Sequence, residues 1–197
     1  MTGHWKIVLL LLLAAQGVLA QGAEGRGSQA VPSENDSLSM ALVRFGFFIA
    51  SDPDFKPIYG SGGVFGGELR LGRRSISGWL EGNYRSRTGK FSMMGEGTKV
   101  KVMAIEGGVL VRILSGTILP YAGLGIGYYM FTETDDLIGE AKKSKLGFCG
   151  AVGVSARILK MFALDCRVKY SSCKMQPADY KIDIGGLTLG LGLGLFF

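Results

Sequence analysis

The side chains that could do chemistry are isolated charges at alternate positions of apolar stretches. Arg44 lies inside ALVRFGFFIA, and Glu68 and Arg70 lie inside VFGGELRLG. Such carboxylates could in principle act as general acids or bases. The sequence, however, shows no paired nucleophile and base: its single histidine is His4, in an N-terminal segment that we expect to be removed. We therefore expect no catalytic residue.

Metal and cofactor motifs are not evident either. The three cysteines, Cys149, Cys166 and Cys173, are odd in number and fit no zinc-binding spacing. Gly123, Gly125 and Gly127 superficially resemble a nucleotide-binding loop. No helical pattern follows them, so that interpretation is disfavoured. The acidic loop Glu133–Asp136 is best explained as solvated. We expect no metal site and no cofactor.

The N-terminus has the features of a secretory signal peptide. Residues 1–20 combine a short basic start with an apolar run and end in small residues, VLA. The run is short for a transmembrane helix. Residues 21–37 are polar and contain Gly, Pro and Ser, which is typical of a flexible leader. We expect cleavage after residue 20, a periplasmic leader at 21–37 and one domain at 38–197.

The remaining chain shows period-two alternation, which indicates β-strands. Each such stretch is near the ~9–11 residues that a tilted strand needs to cross a bilayer. The eight stretches are ALVRFGFFIA, VFGGELRLG, ISGWLEGNYR, VKVMAIEGGVLVRI, PYAGLGIGYYMF, LGFCGAVGVSARI, FALDCRVKY and GLTLGLGLGLFF.

Short and long connections alternate between these stretches. This alternation is typical of outer-membrane barrels, which have short periplasmic turns and longer outer loops. The predicted fold class is all-β: an eight-stranded antiparallel up-and-down transmembrane β-barrel. The predicted turns are 72–75, 114–117 and 159–160, and the predicted loops are 51–62, 86–98, 132–144 and 171–181.

Alternation alone leaves open which face is outside, because a secreted lipocalin-like ligand binder also has about eight antiparallel strands. The polar face is rich in small residues and carries charges of both signs, which favours an enclosed lumen where buried charges pair. Outward Tyr84, Tyr128 and Tyr170 would form an aromatic girdle. The predicted structural ion network comprises Arg44, Glu68, Arg70, Glu81, Arg85, Glu106, Arg112, Arg157, Asp165, Arg167 and Lys169.

Residues 38–197 resemble a known family, most strongly from Leu119 onward. PYAGLGIGYY and the DIGGLTLGLGLGLFF ending are similar to the small outer-membrane β-barrels of the OmpA/OmpX/OmpW type. Alternating apolar residues that end in phenylalanine resemble the signal recognised by the barrel assembly machinery, and the residues carrying that likeness are Leu189, Leu191, Leu193, Leu195 and Phe197. The resemblance implies a location in the outer membrane of a Gram-negative bacterium.

The resemblance implies architecture more than activity. Barrel enzymes of this kind use histidine, so a non-enzymatic structural or surface-interaction role with a plugged polar lumen is expected. The alternative is a narrow OmpW-like channel, whose apolar lining could come only from Leu42, Phe48, Trp79, Val102, Leu110, Tyr129 and Phe131.

The expected partners are outer-membrane lipid, lipopolysaccharide and the assembly machinery. Although the net charge is +6, the basic residues form no aromatic-interleaved stripe, so no nucleic acid is expected. The basic residues that could meet lipopolysaccharide phosphates are Arg87, Lys90, Lys99, Lys142, Lys143 and Lys145.

Overall fold

The structure is a computed structural model of the 197-residue chain. It describes residues 39–52, 61–73, 75–90, 97–114, 116–135, 139–158, 161–175 and 182–197. The predicted signal peptide, the predicted leader and the predicted turn at 159–160 lie outside these residues.

Eight long antiparallel strands close into a barrel, as predicted. The first long strand pairs with the last, with Phe45 opposite Leu191, so the described sheet has no open edge along this seam. Closure satisfies backbone N–H and C=O groups that hydrocarbon could not satisfy. The strands are β1 Met40–Ala50, β2 Gly62–Arg73, β3 Ile76–Lys90, β4 Gly97–Arg112, β5 Ile118–Asp135, β6 Gly139–Ile158, β7 Phe162–Ser172 and β10 Gly186–Phe196, with a small separate hairpin of β8 Lys174–Met175 and β9 Ile182–Asp183.

The two faces of the strands follow the predicted alternation. In β7, Leu164 is 41% exposed, whereas its neighbour Asp165 is fully buried. In β10, Leu191 and Leu193 are 60% and 63% exposed. The apolar side chains therefore point outward and the charged ones inward, which contradicts the lipocalin-like alternative, in which the apolar face would be buried.

Three strands are longer than a membrane crossing needs. β4, β5 and β6 contain 16, 18 and 20 residues, respectively. The loop predictions at 86–98 and 132–144 were therefore wrong, because most of these residues extend β3 to β6 as a paired sheet. Polar side chains beyond the bilayer can keep the hydrogen-bonded ladder while both faces meet water, so the apolar alternation ends before the strand does.

The barrel has two different ends. The turn end carries the short connections after β2, β4 and β6, and the loop end carries the remaining ones. Tyr84, Tyr128 and Tyr170 face outward towards the loop end, with 40%, 43% and 51% exposure. Phe162 and Phe197 are exposed at the turn end. In the described residues, no helix is long and apolar enough to span a membrane.

Candidate functional site: the charged lumen

Four carboxylates and four cations meet at mid-height in the lumen, and we call them the ionic belt. Their side chains converge because each occupies an inward position of its strand, and neighbouring inward glycines leave room for long side chains. All eight residues are buried. The members are Arg44, Glu68, Arg70, Glu81, Glu106, Asp165, Arg167 and Lys169.

Glu68 in β2 is contacted by three guanidinium groups. Arg44 Nε donates to its Oε2 at 2.7 Å, and Arg167 Nη1 donates to the same oxygen at 2.6 Å. Arg70 Nε donates to Oε1. Because three cations from three strands share one buried carboxylate, Glu68 ties β1, β2 and β7 together across the lumen.

Asp165 in β7 is equally well connected. Arg44 Nη1 donates to Oδ1 at 2.7 Å, and the Tyr121 hydroxyl donates to the same oxygen at 3.0 Å. Ser155 Oγ donates to Oδ2 at 2.6 Å, and Arg70 Nη2 lies 3.2 Å from that oxygen. These bonds satisfy a carboxylate that would otherwise be costly to bury.

The remaining two carboxylates continue the belt towards the loop end. Arg167 Nη2 donates to Glu81 Oε1 at 2.7 Å, and Lys169 Nζ donates to Glu81 Oε2 at 3.0 Å. Lys169 also donates to Glu106, which accepts further bonds from Tyr129 at 2.5 Å and Asn83 at 2.8 Å. Acids and bases thus alternate through the belt.

The belt is balanced in charge, with four carboxylates against four cations. Each of its carboxylates accepts from at least two donors. Breaking one member of such a buried pair is strongly destabilising, because the other charge is left uncompensated. The chemistry of this arrangement is mutual neutralisation and cross-linking of strands.

Three residues of the predicted network lie outside the belt. Arg85 donates to the Ile184 carbonyl and lies over the Phe48 ring, 3.5 Å from its centroid, at the loop end. Arg157 lies over the Phe196 ring at 4.4 Å, at the turn end. Arg112 also lies at the turn end, within Coulombic reach of Arg70 and Arg157.

The prediction missed the polar residues that complete the belt. Tyr121, Ser155 and Asn83 bond to belt members, and Tyr129 was considered only as apolar lining. Strand parity could have revealed the tyrosines: Tyr121 and Tyr129 occupy the same face of β5 as the inward glycines Gly123 and Gly125.

Apolar clusters lie inside the barrel on either side of the belt. One lies at the turn end and contains Met40, Leu42, Leu119, Ala163 and Phe196. Another, at the loop end, contains Phe48, Ala50, Val100, Val102, Ala104, Tyr129, Phe131, Cys173 and Ile184. The residues predicted as possible channel lining are thus split between separate clusters, with Trp79 and Leu110 in a third.

The residues of the predicted assembly signal lie on the outer surface of the closing strand. Leu189, Leu191, Leu193 and Leu195 are 45–63% exposed, and Phe197 is 62% exposed. The Phe197 backbone N–H donates to the Ser39 carbonyl at 3.0 Å. This ridge is therefore available to a hydrophobic environment.

Comparison with known families identifies the architecture. The family model described as outer membrane protein beta-barrel domain matches residues 7–194. The chain belongs to this family. A comparison with curated proteins found no match.

Solved structures agree with this assignment at the level of the fold. The barrel is similar to Neisserial surface protein A, with 15% identity, a TM-score of 0.61 and coverage of 81% of this chain and 96% of that one. It is also similar to OprG from Pseudomonas aeruginosa, with 14% identity, a TM-score of 0.60 and coverage of 82% and 97%. Ail of Yersinia pestis, solved with the heparin analogue sucrose octasulfate, has 16% identity, a TM-score of 0.53 and coverage of 81% and 99%.

Proposed function

We propose that the protein is a non-enzymatic outer-membrane barrel with a plugged lumen, which acts at the cell surface through its loop end. The observation that carries this proposal is the neutral ionic belt. It fills the centre of the lumen and leaves no charged belt residue exposed above 5%. An eight-stranded barrel is just wide enough for its side chains to fill.

The plug argues against the channel alternative. A narrow apolar passage would need a continuous apolar lining, whereas the two apolar clusters at the barrel ends are separated by the belt. Purified barrel in planar bilayers is expected to give no steady conductance. Discrete, reproducible channel openings would contradict the plugged lumen. The positive control is a triple variant that removes three charged side chains from the belt: Arg44→Ala, Glu68→Ala and Asp165→Ala.

The surface role rests on basic residues just beyond the membrane band, which is the part of the outer face whose side chains are apolar. Tyr128 donates its hydroxyl to Ser144 Oγ at 2.6 Å, which marks the polar boundary on the outer face. Lys142 is the next outward-facing residue of β6, and Lys101 lies in the same row across Thr132. Lys99 stands one row further out, and all three lysines are exposed.

This placement suits the phosphates of lipopolysaccharide. Adjacent strands are about 4.8 Å apart, so the two lysines flanking Thr132 are separated by roughly 10 Å. Each cation near an anionic membrane surface contributes about 1 kcal/mol. That Ail was solved with a sulfated heparin analogue supports the idea that a similar barrel can present cations to a polyanion.

Lipopolysaccharide binding can be tested with a triple variant. Changing Lys99, Lys101 and Lys142 to Gln is expected to weaken binding on the order of 100-fold at low salt. The matched control is Arg73→Gln, which removes an exposed charge at the turn end. Fluorescent lipopolysaccharide titrated into refolded barrel in neutral detergent gives the affinities. Unchanged binding by the triple variant would contradict the proposal.

A further inference from the structure

The lumen contains a cavity on the loop side of the ionic belt. Its volume is about 30 Å³. Belt residues of both signs line it, together with residues of the loop-end apolar cluster such as Phe48 and Tyr129; the belt residues are Arg44, Glu81, Glu106, Arg167 and Lys169. The cavity therefore lies where the belt meets the loop-end apolar cluster.

One lining residue has an unsatisfied donor. Arg44 is 4% exposed and uses its Nε on Glu68 and its Nη1 on Asp165. Its Nη2 is buried and finds no acceptor among the described residues. A buried guanidinium nitrogen without an acceptor carries a desolvation cost, so the site favours an acceptor within the cavity.

The cavity also has an excess of positive charge. The eight belt residues sum to zero, because four carboxylates oppose four cations. Arg85 lines the same cavity as a fifth cation. It contacts the Ile184 carbonyl and the Phe48 ring, and the carboxylate within its Coulombic reach, Glu106, is already bound by Lys169. One monovalent anion would offset the charge of this fifth cation.

Size and donors restrict the anion further. One water molecule needs roughly 10–15 Å³ of such space, so the cavity takes about two water-sized particles. This is room for a halide ion but not for phosphate or sulfate. Asn83 and Thr188 also line the cavity, and the second Nδ2–H of Asn83 and the Thr188 hydroxyl are neutral donors.

We propose that this cavity binds one chloride ion, held by the Arg44 guanidinium and the charge of Arg85. The ion offsets the positive charge of Arg85 and links the belt to the loop-end cluster. The inference concerns the interior of the barrel and goes beyond the proposed surface role. Loss of lipopolysaccharide binding would leave it untouched.

Bromide provides the direct test, because it substitutes for chloride and scatters anomalously. Crystals of the full barrel grown in sodium bromide are expected to show one anomalous peak beside Arg44 Nη2. In solution, the urea midpoint of refolded barrel is expected to be higher in sodium chloride than in sodium gluconate at equal ionic strength. A cavity holding only water, or a midpoint indifferent to the anion, would overturn the proposal.

A cavity-filling variant separates the site from general salt effects. Gly190 lines the cavity, and a Cβ there would meet only the Phe45 and Arg167 carbonyl oxygens, at 3.7 and 3.9 Å. Gly190→Val is expected to abolish the bromide peak and the chloride-dependent midpoint shift. The control is Gly82→Val, on the outer face, where a Cβ would have no atom within 4 Å. It should retain both. Equal chloride dependence in the two variants would place the effect outside this cavity.

Discussion

The two faces of the β7–β10 pair share one backbone ladder but are built for opposite surroundings. On the inner face, Asp165, Arg167 and Lys169 are at most 5% exposed and are held by ion pairs. On the outer face, Leu191 and Leu193 are at least 60% exposed and have no charged neighbour in their rows. Polar groups therefore hold this barrel together from within, while its apolar groups face the membrane.

The largest effect is expected from removing one charge on the inner face. Glu68→Gln leaves Arg44, Arg70 and Arg167 facing a neutral amide. Breaking a buried ion pair costs about 3–5 kcal/mol, so the urea midpoint of unfolding in detergent should fall steeply. The exposed Lys101→Gln control should stay within about 0.5 kcal/mol of wild type. Equal effects of the two changes would mean that the belt is not the stabilising core.

Adding one charge on the outer face is expected to have a slightly smaller effect. Leu191→Arg places a cation near the middle of the membrane band, at a cost of about 2–4 kcal/mol in lipid. The matched Leu195→Arg lies closer to the turn-end rim, where the cost falls towards about 0–1 kcal/mol. Reversible unfolding from phospholipid vesicles measures both. If neither variant were destabilised, the outer face would not be in hydrocarbon.

Glycines on the two faces are expected to respond differently to an added methyl group. A Cβ at inward Gly108 would lie 2.1 Å from the Leu124 carbonyl oxygen, so Gly108→Ala forces the backbone to shift. Overpacking of this kind costs about 1–3 kcal/mol. Outward Gly82→Ala meets nothing within 4 Å and should be neutral or stabilise by about 0.4–1 kcal/mol. The same unfolding assay decides, and a reversal of the order would contradict the assignment of the faces.

Thiol labelling probes the two regions without an expected change in stability. Cys173 is 1% exposed in the loop-end cluster, where burial and the nearby Asp183 carboxylate raise the pKa of its thiol to about 11. Cys166 is exposed on the outer face. At pH 7.5 a water-soluble maleimide should spare Cys173 in the folded barrel, and a lipid-soluble maleimide should label Cys166. Mass spectrometry identifies the labelled residues. Rapid modification of Cys173 would show that the loop end is open.

The sequence was informative wherever the two faces meet different surroundings. Alternation along FALDCRVKY predicted which side chains of β7 point inward, because lipid and lumen impose opposite polarity. It failed in the extensions of β5 and β6, such as residues 141–145, because successive side chains on both faces are exposed there and no apolar face remains. Strand ends there depend on hydrogen bonding that continues without an apolar face.

The composition of the lumen was predictable in part. The alternation along a strand predicts which charged side chains point into the barrel. The height of each charge along the barrel axis depends on strand tilt and register, which the local sequence does not determine. For this reason Arg85, Arg112 and Arg157 lie at the two ends of the barrel and not in the belt, although each occupies an inward position of its strand. Parity would also have placed Tyr121 inside.

The central claim is that the apolar face of the barrel meets acyl chains and the charged face is enclosed. A nitroxide spin label at Leu191, measured in phospholipid vesicles, tests it most directly through collisions with oxygen and with a water-soluble nickel chelate. We expect high accessibility to oxygen and low accessibility to nickel at this site, with the opposite balance for a label at Lys101. Strong nickel collisions at Leu191 would place this face in water and contradict the account.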